Sequence, residues 1–273
     1  MSSQLKTSFL SLKNNKVATF KNRIKNSLGS MSRPGAAQAR EVFLAAPTDE
    51  WEGLKGRYSD AILAVANKKR KPELPGLDAF WREDLLAAVS QRSPRLVTLG
   101  ELSRVMQWKL LRGKFRPLQK IVDSNNAKQV ESVSQAAFRC LDAGNWKGAF
   151  EHMTKLRGIG QATASAVLAP FDPRNCPFMA DEVMEAVLNG QRDYTAKIYC
   201  AMRTALVEKA EQLGEGWTAE DVGRALWTKA VLCTEEADRL SQKQIVIGDP
   251  STCSGEMAEG NTSRRPAKKR RST

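Results

Sequence analysis

Apolar residues along this chain recur at intervals of three and four. Between Trp51 and Lys71 they fall at Leu54, Tyr58, Ile62, Val65 and Ala66, the face of one helix, which the charged, proline-containing KKRKPELPG then ends. LDAFWREDLLAAVSQR repeats the pattern, and TLGELSRVMQWKLL and VESVSQAAFRCLDAG predict two further helices closed near Gly113 and Gly144. WTAEDVGRALWTKAVL starts with Thr218 as N-cap and Asp221 three residues on, with Trp217 and Val222 placed as a hydrophobic staple. No stretch alternates with period two and no long repeat is present. The predicted architecture is all-α: a helical domain over 41–240 between basic terminal segments, 1–40 and 241–273, expected to be disordered.

Charge changes this picture less than its total suggests. The net charge is +13, yet residues 1–40 hold eight Lys/Arg and 261–273 hold six, neither stretch containing Asp or Glu. That leaves 29 basic against 30 acidic side chains for 41–260, so the expected folded part is nearly neutral. RRPAKKRR, from Arg264 to Arg271, resembles a nuclear import signal, with a solvated basic tail as the alternative. The acid-free N-terminal segment also resembles a mitochondrial presequence, with Met31 as an alternative start, so the expectation is nuclear first and mitochondrial second. No apolar run approaches a membrane span, and a soluble protein without a membrane partner is expected. Five widely spaced cysteines and the single His152 argue against a disulfide framework, a zinc site or an iron–sulfur cluster, so no cofactor is expected.

The densest chemistry lies at LRGIGQATASAVLAPFDPRNCPFMADEV. FEHMTKL predicts one helix, RGIGQ a turn, and ATASAVLA a second helix rich in small residues. Gly158 and Gly160 allow a sharp turn and close backbone approach. The amides opening the second helix then form an anion site suited to a DNA phosphate and indifferent to sequence. An ordinary helical hairpin is the alternative.

Upstream, residues 92–128 carry nine Lys/Arg against Glu101 and Asp123. Lys109, Arg112, Lys114 and Arg116 form the centre of this excess, with Trp108 and Phe115 interleaved, and predict a basic edge contacting phosphates. Trp108 itself reads as core. Trp51, Trp81, Trp146, Trp217 and Trp227 read as core anchors, His152 as a helix-surface or packing residue, and Tyr194 and Tyr199 as packing residues with the border of a pocket as the alternative.

Leu156, Gly158, Ile159, Gly160, Thr163 and Ala164 spell L-x-G-I-G-x-x-T-A, which resembles the helix-hairpin-helix motif of the HhH-GPD superfamily of DNA base-excision glycosylases. The resemblance covers about residues 135–190. It implies that Gly158, Ile159, Gly160, Gln161 and Thr163 grip double-stranded DNA. It also implies that Asp181, nineteen residues after Ala162 and beyond a proline loop, is the carboxylate that supports a cationic sugar or orients water. By its residue type Asp181 also suits a helix N-cap. Departures are clear: Ala162 stands where strand-nicking members carry lysine, and Glu182 and Val183 stand where threonine and histidine are common. The resemblance therefore implies a monofunctional glycosylase of base-excision repair, acting on a flipped-out base without lyase chemistry. A DNA-binding or protein-interaction scaffold that has lost the chemistry stands beside it.

Overall fold

The computed structural model describes residues 33–247, with side chains through 240. All regular elements among them are helical: α1 (Pro34–Ala45), α2 (Thr48–Gly56), α3 (Tyr58–Lys69), α4 (Leu74–Ala79), α5 (Leu85–Ser90), α6 (Leu99–Arg112), α7 (Gln119–Asp123), α8 (Ala127–Asp142), α9 (Trp146–Met153), α10 (Gln161–Leu168), α11 (Asp181–Val187), α12 (Ala196–Leu213) and α13 (Ala219–Ile247). Contacts divide the chain after Glu236, and the architecture below is that of the first unit. The second unit, Ala237–Thr273, includes the last described turns of α13. The import-signal reading of 264–271 and the presequence reading, except for its last residues, lie outside the described residues.

Three boundaries differ from the sequence pattern. Residues 34–40, expected in the basic terminal segment, form the first half of α1, where Pro34 opens the helix and Gly35, Ala36 and Ala39 are buried. At Gly35 a Cβ would lie 2.1 Å from the Ala230 carbonyl oxygen, so only glycine lets α1 sit so close to α13. The single helix expected over 51–71 is two, broken at Arg57, where Gly53 and Gly56 weaken the last turn of α2. Between α4 and α5, Phe80–Asp84 winds as a π-helix, with Phe80, Trp81 and Leu85 all facing the core.

Helix α6 runs through the middle of this unit, touching α3, α4, α7, α8 and α10. Thr98 caps it: its hydroxyl accepts from the Glu101 amide and the Glu101 carboxylate accepts from the Thr98 amide at 2.9 Å, while Arg92 grips the same carboxylate twice at 2.8 Å. At the other end Lys69 Nζ reaches the carbonyls of Leu111, Arg112 and Gly113, satisfying acceptors the helix leaves open. Thr218 and Asp221 form the expected capping pair ahead of α13, and Trp217 and Val222 are buried as a staple requires.

The core is aromatic and contains a buried carboxylate. Trp81 and Trp108 stack with centroids 4.0 Å apart, and Trp51, Trp217 and Trp227 are buried as expected, Trp146 partly so. Asp78, 2% exposed, accepts hydrogen bonds from Tyr58 Oη at 2.8 Å, Trp108 Nε1 at 2.9 Å and Arg82 Nε at 2.9 Å. Replacing it strands three donors. Asp78→Ala is therefore expected to lower the free energy of unfolding by about 3–5 kcal/mol in urea titrations; a loss below about 1 kcal/mol would show that the junction carries no load.

Candidate functional site

Helices α9 and α10 are joined by the predicted turn, and its two glycines do different work. Gly158 has φ +76°, a conformation side chains resist, and a Cβ there would meet Val122 Cγ2 at 3.1 Å and Ile121 Cγ2 at 3.2 Å. Its requirement is structural, set by α7 pressing on the turn. Gly160, the N-cap of α10, is extended and exposed, with nothing within 4 Å of an added Cβ. Helix geometry leaves the amides ahead of Thr163 without an i−4 carbonyl, and the open ground at Gly160 lets an anion approach them. Asn125, which the sequence pattern did not single out, braces the turn by donating to the Arg157 carbonyl at 2.9 Å and accepting from the Arg157 amide at 2.8 Å.

The motif residues are not equally placed for contact. Ile159 (5% exposed) and Thr163 (2%) pack inward, so among the predicted grip residues Gly158, Gly160 and Gln161 keep accessible surface. Arg157 and Lys155, both exposed beside the turn, add cations the motif did not flag.

The proline loop between α10 and α11 is tied down along its length. Ser165 Oγ accepts from the Met179 amide at 2.9 Å, and Glu220 from the Phe178 amide at 2.7 Å. Tyr199 Oη donates to the Pro177 carbonyl at 3.2 Å, and Arg203 Nε to that of Asn175 at 2.6 Å. Burial holds the Glu220 carboxyl above the ordinary range despite Arg224 and the Phe178 amide. These anchors fix Asp181, which occupies the first turn of α11 while Ala180 takes the N-cap position. The Asp181 side chain does not cap the helix. Tyr194 Oη donates to its Oδ1 at 2.6 Å and Arg192 lies 3.5 Å from Oδ2; Arg116 donates to the Tyr194 hydroxyl at 3.0 Å. Burial, then the bond to Asp181, raises the Tyr194 pKa, so the phenol stays protonated as the donor. Tyr194, read as packing with a pocket border as the alternative, is thus a partner of the candidate carboxylate and lines its cavity, whereas Tyr199 is buried at 1% exposure as packing requires.

One cavity of about 40 Å³ gathers Asp181, Ala162 from the hairpin's second helix, Tyr194, and Lys109, Arg112, Lys114 and Arg116. The fold therefore brings the hairpin, the carboxylate and the upstream basic cluster together. The basic edge itself divides: Lys114 and Arg116 are exposed, Lys109 is half-buried, and Arg112 is buried at 5% exposure. Arg112 is not a surface phosphate contact, because it sits on the core side of α6, three and seven residues after Lys109 and Val105. Phe115 is 71% exposed, and Trp108 is core as expected. Lys109, from α6, lines the same cavity as Ala162. Burial lowers its pKa, Asp181 opposing and Arg116 assisting that shift.

Gly113, Lys114, Arg112 and Glu182 also border a larger cavity of about 840 Å³ between α1, α3, the end of α6 and α13, walled by Val65, Leu110, Trp227 and Val231. Among the described residues no three His, Cys, Asp or Glu side chains are grouped as metal ligands would be, and no helix is long and apolar enough to cross a membrane. No family model, curated protein or solved structure matches the chain.

Two outcomes follow from this geometry. Gly158→Ala is expected to cost about 1–2 kcal/mol through its positive φ, with the contact on α7 in addition, while Gly160→Ala unfolds at nearly the wild-type urea concentration; equal effects would remove the distinction between the glycines. The Lys109 amine is expected to titrate below the ordinary lysine range when lysine side chains are followed by NMR. Asp181→Asn removes an attraction for the ammonium form and lowers it further, whereas Arg116→Gln removes a repulsion and raises it; shifts of the opposite sign would contradict the placement of Lys109.

Proposed function

We propose that this protein grips the backbone of double-stranded DNA with its helix-hairpin-helix turn and acts as a monofunctional DNA glycosylase in base-excision repair. The observation that carries the proposal is the shared cavity: Ala162 of the hairpin, Asp181 at the start of α11 and four basic side chains line one space. Exposed Gly160 and the α10 amides suit a phosphate, Lys155 and Arg157 are exposed just ahead of it in the chain, and Lys114 and Arg116 are exposed cations lining the Asp181 cavity. Asp181 is fixed by an anchored loop, as a group that must support a developing sugar cation needs to be. With Ala162 in the hairpin, the motif lysine of strand-nicking members is missing, which supports base release without strand cleavage. A nuclear setting, with mitochondria second, belongs to the same proposal.

A second reading has its own observation. Tyr194 and Arg192 cover Asp181, whose side chain is 14% exposed, and a cavity of about 40 Å³ does not hold a base. A binding protein that keeps the hairpin and has lost the chemistry would look the same. Catalysis requires Tyr194 to move aside.

Duplexes each carrying one lesion or mismatch, treated with alkali to cut abasic sites, separate the two. The glycosylase reading expects base release from at least one lesion, falling by about a hundredfold or more in Asp181→Asn; binding without release in either protein establishes the second reading. Gly160→Glu, which places bulk and negative charge at the phosphate position, is expected to weaken duplex binding by roughly tenfold at low salt while leaving urea unfolding unchanged. Unaltered affinity across several salt concentrations would remove the hairpin from the interface.

A further inference from the structure

The larger cavity has an unbalanced charge at its base. Arg112 is 5% exposed, with its guanidinium carbon 3.8 Å from the centroid of Trp227, 5.1 Å from Phe178 and 5.4 Å from Trp108. Among the described residues its side chain forms no ion pair and no hydrogen bond, and its Nε is fully shielded without a partner. Neighbouring charges are engaged elsewhere: Arg33 with Glu182 and Glu185, Arg192 with Asp181 and Glu185, and Lys69 with the α6 carbonyls. Glu220, which feels the Arg112 charge, is committed to the Phe178 amide. The aromatic faces offset part of the cost of burying this cation. A buried guanidinium without acceptors otherwise weakens the fold, and an arginine fork is shaped for paired oxygens.

We infer that this cavity binds a flat, carbonyl-rich or anionic ring, such as the imide-bearing purine xanthine, with Arg112 donating to its oxygens and the apolar walls covering its faces. The volume of about 840 Å³ lies within the range of small-molecule sites. The guanidinium would repel a ring with a fixed positive charge, such as a purine nucleotide alkylated at N7, so the site selects against that class. The ring arrives free or extruded from DNA. The second source rests on the DNA reading above, because Arg112, Gly113 and Lys114 border both this cavity and the Asp181 cavity.

Titrations of the full chain with free xanthine, followed by tryptophan fluorescence, and with duplexes carrying one xanthine or one ethenoadenine, a flat base without carbonyls, test this. Saturable xanthine binding is expected, weakened roughly tenfold or more in Arg112→Met, while the melting temperature of that variant rises because an unpaired buried charge is gone. A base presented by DNA gives a preference of similar size for the xanthine duplex over the ethenoadenine duplex, also lost in Arg112→Met. Arg112→Lys keeps the charge without the fork and carries the comparison if the methionine variant does not fold; its xanthine affinity is expected to fall. Free xanthine bound without any duplex preference supports the site and overturns its presentation by DNA. Absence of xanthine binding in both forms, or unchanged affinity in the Arg112 variants, overturns the site even if undamaged DNA is held through the hairpin.

Discussion

The junction at Asp78 sets the positions of nearly everything the candidate site uses. A carboxylate at 2% exposure is tolerated because Tyr58 of α3, Arg82 of the π segment and Trp108 of α6 all donate to it. Trp108 then stacks on Trp81, and the Trp81 indole donates to the Ala166 carbonyl in α10 at 2.7 Å. Four donors and one stacked pair thus connect the α3–α6 layer to the second helix of the hairpin. Directional bonds fix rotation as well as distance. The rotation of α6 about its axis, locked by Trp108, determines that Lys109 and Arg112 turn inward rather than outward.

A second set of bonds sets the loop before Asp181. Ser165 lies on α10, Tyr199 and Arg203 on α12, and Glu220 on α13, so the loop is a bridge held at several piers. A loop anchored at several points holds a side chain more tightly than a free one, which is what a positioned carboxylate requires. The small residues of α10 are packed without spare room: Ala164, Ser165 and Ala166 are fully buried, so larger side chains there would force the surroundings apart.

How much of this was legible in the sequence depended on the range of the forces involved. The hairpin was legible because a positive-φ glycine and a small-residue helix are local requirements, although α7, which makes Gly158 obligatory, was not foreseen. The two helices expected as one between 51 and 71 show the limit of periodicity, since the same apolar face continues across the break at Arg57. Arg112 was misread as an edge residue because its charge outweighed its phase. Its spacing from Val105 and Trp108, seven and four residues, placed it on the core face all along. Tyr194 and Asn125 could not be assigned from sequence, because their roles rest on partners thirteen and thirty-two residues away.

The charge around Asp181 bears directly on which chemistry this site can support. Lys109 and Arg192 act on a single carboxylate, and Arg116 holds the Tyr194 hydroxyl that donates to it, so its field at a neighbouring sugar would be partly cancelled in the free protein. In the glycosylase reading, a bound backbone reverses this balance. Phosphates paired with exposed Lys114 and Arg116 neutralise the cations nearest the surface, and Arg116 then has a stronger acceptor than the Tyr194 hydroxyl. Tyr194 would lose the donor that orients it over Asp181, uncovering the carboxylate at the moment DNA is in place. In that reading the hydroxyl that covers Asp181 is held by a cation that a bound phosphate would draw away, so the covering contact and the binding surface share one residue, Arg116.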